Sequence, residues 1–170
     1  MNIKPIDYLQ TDSRWRKIPY TSHDDKFQTI GTSGSGPTIA ADLVATFVDP
    51  KITPVYMASL AIEWGCRTYY SGTSWDYFKK VAEHFCFPKF VQAKDFDRLI
   101  DCINFGGLVI ASVGMGYWTQ GSTFVLVWDY SDKYVYCNDS CSHRRTKQSI
   151  KDFRRESKMY FCYYPFGQIT

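Results

Sequence analysis

"TIGTSGSGPTIAADLVATF", residues 29–47, opens as a glycine- and serine-rich turn and continues as an amphipathic helix. Over residues 36–48, Ile39, Leu43, Val44 and Phe47 fall on one stripe, the spacing of a helix packed on a core. Gly36 and Pro37 allow close backbone approach and preset the first helical turn. A helix N-terminus carries roughly half a positive charge, so a loop opening into one is a natural seat for a nucleophile. The residue at the point of entry is Ser35. Its hydroxyl is not appreciably ionised near neutral pH, so the dipole alone does not activate it, and a general base is required.

Outward from this helix the first half of the chain continues helical. "ITPVYMASLAIEWG", residues 52–65, has Thr53 as N-cap, Pro54 at the first helical position and Gly65 as terminator. "TSWDYFKKVAEHF" starts at a cap on Thr73 or Ser74, and "KDFDRLIDCINFGG" stops at a glycine pair. The second half reads as strands at about 107–113, 123–130, 133–138 and 159–164. Helices followed by an antiparallel sheet predict an α+β architecture, with the N-terminal helices packed on the C-terminal sheet and a cleft between the two regimes. With 170 residues there is material for one sizeable core, so residues 1–170 are read as a single domain.

No apolar run reaches the roughly 18 residues of a membrane span, and "MNIKPIDYLQ" lacks the layout of a signal peptide. The expected setting is cytoplasmic, with no membrane partner. A net charge of +3 is too small to argue for nucleic acid. Cys86, Cys102 and Cys162 lie in apolar segments and are expected as buried, reduced thiols. Cys137, Cys141 and His143 are compactly spaced but lack a fourth ligand, and no metal or other cofactor is expected.

A series of short stretches occurs in order: "LQTDSRW" at 9–15, "TIGTSGSGPT" at 29–38, "ITP" at 52–54, "GTSW" at 72–75, "YWTQGSTFVLV" at 117–127 and "VYCNDS" at 135–140. The succession resembles the papain-like cysteine peptidases of the bacteriocin-processing, double-glycine-leader type, in particular their stand-alone bacterial and phage relatives, over about residues 8–165. The resemblance implies a papain-like fold. It also places Ser35 at the nucleophile position, where the relatives have cysteine, and Thr123 at the position of the histidine base. Asp139 falls at the position of the acid that orients the histidine, and Gln10 at that of the oxyanion-hole amide. A threonine has no proton to exchange near neutral pH. Loss of nucleophile or base alone costs on the order of a million-fold in turnover in a serine hydrolase.

The sequence reading is therefore a degenerate peptidase-like domain that binds a peptide or protein partner. One alternative is an active cysteine peptidase or peptidoglycan amidase whose nucleophile has been changed to Ser35, which leaves Thr123 unexplained. A third class is a phage-encoded inhibitor that uses the fold to occlude a host protein. Of the histidines, His23 reads as a surface residue and His84 as a favourable cation near a helix C-terminus. His143, four residues after Asp139, reads as a solvated or structural loop residue, with a swing toward the cleft as the alternative.

Two features bear on binding. Residues 143–158 hold seven Lys or Arg against two acids and read as a short basic helix, with Ile150 and Phe153 inward. Arg144, Arg145, Lys147, Arg154, Arg155 and Lys158 then point outward, as an ordinary solvated face or, on the functional reading, as a patch for an acidic partner. Tyr117, Trp118 and Trp75 are candidates for the wall of a peptide groove.

Overall fold

The computed structural model describes residues 3–70 and 72–167. Within the glycine- and serine-rich run the chain first makes one helical turn, α1 (Ile30–Ser33). A reciprocal cap holds it: the Thr29 hydroxyl accepts from the Thr32 backbone N–H, and the Thr32 hydroxyl from the Thr29 N–H. Gly34 separates this turn from α2 (Ser35–Phe47), so Ser35 is the first residue of a thirteen-residue helix. Gly36 has a steric reason, because a Cβ there would lie 2.8 Å from the Thr73 hydroxyl and 2.9 Å from its Cβ.

α3 (Pro54–Glu63) follows with Thr53 as N-cap residue, and Gly65 ends it at φ +70°, a conformation that glycine adopts freely. α4 (Asp76–His84) starts later than the sequence indicates. Trp75 is its N-cap residue, and Ser74 contributes by accepting the Asp76 N–H at 3.3 Å. Cys86, expected buried, is exposed at φ +58° in the turn that leaves this helix. All six cysteines are free thiols.

The remaining elements are β1 (Phe90–Ala93), α5 (Phe96–Asn104), β2 (Leu108–Val113), β3 (Thr123–Tyr130), β4 (Tyr134–Asp139), β5 (Lys147–Ser149), α6 (Ile150–Glu156) and β6 (Ser157–Tyr163). They build a six-stranded antiparallel sheet in the order β1-β6-β2-β3-β4-β5. The α+β expectation holds. β1 and β5 are two short edge strands that the sequence pattern does not announce. The basic stretch 143–158 is not one helix: it divides into a turn, β5, the short α6 and the start of β6.

Strand alternation sorts the side chains into two layers. Leu108, Ile110, Phe124, Leu126, Phe161 and Tyr163 pack with Ile39, Leu43, Met57 and Phe78 of the N-terminal helices. Val109, Ala111, Val125, Val127, Tyr160 and Cys162 face the other way and meet Leu99, Ile103 and Phe153 of α5 and α6. β2 is consequently buried on both faces. Among the described residues no helix is long and apolar enough to cross a membrane.

Candidate functional site

The N-terminus of α2 opens into a cavity of about 620 Å³. Ser35, Thr32 and Ser33 form one side, and residues 68–75 the rim. Ser112 from β2, with Thr123 and Phe124 from β3, forms the sheet side, while Gln10 and Cys141 close another wall. Ser35, Thr123 and Gln10, over a hundred positions apart at the extremes, thus share one cavity. The rim is held in place by Arg67, whose guanidinium donates to the Tyr20, Thr68 and Gly72 carbonyls and lies over the Tyr20 ring. The Thr73 hydroxyl in turn bonds the Tyr20 hydroxyl.

Gln10 is spent on structure. Its Nε2 donates to the Gly31 carbonyl at 3.0 Å and more weakly to Ile30 at 3.5 Å. Its Oε1 accepts from the Ser140 hydroxyl at 2.6 Å and from the Cys141 thiol at 3.4 Å. Two carbonyls at one end and two donors at the other fix which way the amide points. The side chain clamps the turn before Ser35 to the segment after β4, and its N–H groups face carbonyls rather than the cavity.

Asp139 lies behind the wall and does not line the cavity. Its side chain is fully enclosed; Oδ2 accepts from Arg145 Nε at 2.7 Å and Oδ1 from the Cys141 backbone N–H at 3.0 Å. The position that would orient a histidine is occupied by an arginine salt bridge. The Cys141 thiol does reach the cavity, but burial, followed by the neighbouring Asp139 charge, pushes it up from the usual thiol range. It is a protonated donor to Gln10 rather than a thiolate.

Among the described residues no histidine lines the cavity. His23 stacks on Tyr69 with ring centroids 3.6 Å apart. His84 packs against Trp64 and Phe85. His143 is held at Asp7, 3.3 Å from its carbonyl oxygen and 3.6 Å from its carboxylate. The Ser35 hydroxyl has no hydrogen-bond partner among the described residues, so nothing present takes its proton.

No protein-family model and no curated protein matches the chain. Solved structures do. The peptidase domain of Streptococcus ComA, described as a bifunctional ABC transporter involved in a quorum sensing pathway, superposes with a TM-score of 0.60 and 17% identity, covering 79% of this chain and 93% of that one. A Bacillus anthracis structure described as a C39-like peptidase gives 0.60 and 10% identity, covering 96% and 100%. The fold is that of papain-like C39 peptidases. The likeness at such identities is one of fold.

On this C39-like fold the aromatic candidates divide. Trp75 lines the cavity and is partly exposed. Trp118 also lines it, yet is 2% exposed in the second core layer, with its indole N–H on Gln148 Oε1 at 2.6 Å. Tyr117 is exposed but lies outside the cavity lining. The four arginines do not form one free outward patch. Arg145 pairs with Asp139, Arg155 with Asp152 and Glu156, and Arg154 lies over the Phe96 ring; Arg144 is exposed. Their charge is largely met inside the chain.

Five lining residues lie outside the motif stretches, namely Thr68, Tyr70, Ser112, Cys141 and Lys158, and Lys158 faces the cavity rather than outward from a basic helix. Ser112 carries a signal, being the lone polar residue in the otherwise apolar strand "LVIASV". Lys158 reaches the cavity because of a register shift. Ser112 pairs with Met159 and Val113 with Ser157, so Lys158 is the extra residue of a β-bulge.

Proposed function

We propose that this chain is a peptidase-type domain without hydrolytic activity, which works by holding a peptide or protein segment in the cavity at Ser35. The observation that carries this reading is the absence, among the described residues, of any histidine lining the cavity. The pairing of Asp139 supports it, since Arg145 already engages Oδ2 and the carboxylate lies behind the cavity wall rather than in it. The cavity volume falls within the range of small-ligand sites, about 300–1,000 Å³, and the exposed Trp75 and Tyr70 give a peptide apolar surface at the rim.

The test is a ladder of variants assayed on peptide and peptidoglycan-fragment panels. Wild type and Ser35→Cys hydrolyse nothing, because the thiol still lacks a base. Ser35→Cys with Thr123→His gains reactivity toward a cysteine-directed electrophile but stays poor in turnover, because Arg145 keeps Asp139. Adding Arg145→Ala to that pair gives the largest gain of the series. Turnover by wild type, or strong turnover by Ser35→Cys alone, would show a working base and overturn the reading.

A further inference from the structure

We propose that the cavity reads the free C-terminal carboxylate of its peptide, seating it between the N-terminus of α2 and the sheet. This rests on the peptide-binding reading above and names the end of the chain that the cavity takes. Three independent features converge. α2 is long enough for a full end charge and begins at Ser35, which lines the cavity; Pro37 has no N–H and the Thr38 N–H is the first that pairs back, on Gly34, which leaves the Ser35 and Gly36 N–H groups at this helix end. Ser112 and Thr123 line the cavity at 4% and 7% exposure, and among the described residues neither hydroxyl has a hydrogen-bond partner. Their oxygens are not among the fully enclosed unpartnered atoms, so both hydroxyls stay open to the cavity, where an acceptor from outside can reach them. Finally, the β-bulge delivers Lys158 to the same cavity, its stem lying across Gly114, where any Cβ would come within 2.8 Å of the lysine Cε.

The sign of the site follows from its lining. Of the eighteen described residues around the cavity, ten are serine or threonine, one is lysine and none is an acid. The nearby acids are committed elsewhere: Asp139 to Arg145, and Glu156 to Gln148, Arg155 and the Tyr117 N–H. A helix end worth about half a charge and one lysine suit a single negative charge, as on a peptide carboxylate, better than the double charge of a phosphate monoester. The rest of the peptide then leaves past Trp75 and Tyr70, which are exposed at the open side.

The experiment compares two immobilised libraries of tetrapeptides, tethered through their N-termini and identical except for a free carboxylate or a carboxamide at the C-terminus. The folded wild-type chain is retained on the carboxylate library about tenfold more strongly than on the carboxamide, the ratio expected for a charge-assisted hydrogen bond. Lys158→Gln reduces carboxylate retention about three- to tenfold and narrows the ratio between the two libraries, whereas Ser112→Ala weakens both, since a carboxamide oxygen accepts from the same hydroxyl. Equal retention on the two libraries overturns the carboxylate inference and leaves peptide binding standing. No retention on either removes both. Release by inorganic phosphate at concentrations where chloride releases nothing makes the site a general phosphate site and also overturns the inference.

Discussion

Two walls of one cavity handle their polar groups in opposite ways. On the Gln10 side every donor and acceptor is matched: amide to carbonyls, hydroxyl and thiol to amide, Asp139 to Arg145 and to the Cys141 N–H. Across from it, Ser35 at the end of α2 and Ser112 and Thr123 on the sheet have no partner among the described residues. Folding alone accounts for the first wall, because unmet buried groups cost stability. The second wall carries no such contribution to folding, because its hydroxyls open into the cavity without a partner in the fold; under the proposed function they are the groups left for a ligand.

The matched wall is where substitution should hurt most. Arg145→Ala strands a fully enclosed carboxylate and should cost about 3 kcal/mol, at the low end for a broken buried pair because Arg145 is itself 35% exposed. Urea unfolding measures it, and Asp139→Asn added to Arg145→Ala should recover most of the loss. If Arg145→Ala is neutral, the salt bridge does not hold this wall and the contrast fails.

A middle-sized effect lies behind the helix. Asp42 on α2 is wholly buried, accepting from the Tyr8 N–H at 2.7 Å and from Asn138 Nδ2 at 3.4 Å. Burial above all, with Asp7 adding, pushes its carboxyl well above the ordinary value of 3.8. A raised folded-state pKa means that the native protein holds the proton more tightly than the unfolded chain. Stability from this group is therefore greatest near pH 4 and declines as pH rises toward the folded-state value. Asp42→Asn keeps the bond from Tyr8 without the titration, so its Tm relative to wild type should climb by about 3 °C or more between pH 4 and pH 8. A difference that does not change with pH would show that Asp42 is not the group responsible.

The idle wall should give the smallest change. Ser112→Ala and Thr123→Val are expected within about 0.5 kcal/mol of wild type or on the stabilising side, since each removes a hydroxyl that bonds nothing. A loss above about 1 kcal/mol would reveal a hidden partner and dissolve the comparison between the walls.

Much of the scaffold was legible in the sequence because its signals are local. Pro54 and Gly65 bracket α3, and the stripe through Ile39, Leu43 and Phe47 marks α2. The run from Thr123 to Tyr130 reads as a strand and is one. β1 escaped because three half-buried residues and one exposed residue at an edge carry no periodicity, and α1 because a single turn inside a Gly/Ser run depends on the Thr29–Thr32 cap. The basic segment misled for a different reason. Composition counts its cations but does not say which acid each meets; Gln148, bonded to Trp118 and Glu156, draws its middle into the sheet as β5. The order of short motifs led to Ser35, Thr123 and Gln10, which do share a cavity. It could not show that Gln10 and Asp139 are engaged inside the fold while Ser112 and Thr123 have no partner among the described residues, because those facts depend on residues far apart in the chain.

The clamp that ties residues 6–10 to 138–143 also bears on how the protein comes into being. Ile6 bonds Asn138, Asp7 meets His143 and Gln10 pairs with Ser140, contacts that each close more than 125 residues of chain. Such closures carry the greatest entropic cost and form late. During synthesis the helices of the first half emerge with their apolar stripes uncovered, and the Gln10 wall cannot be built until the segment after β4 has left the ribosome. A nascent chain halted before residue 138 thus lacks the Gln10 wall together with Cys141 and Lys158, and the closed cavity is among the last features to be born.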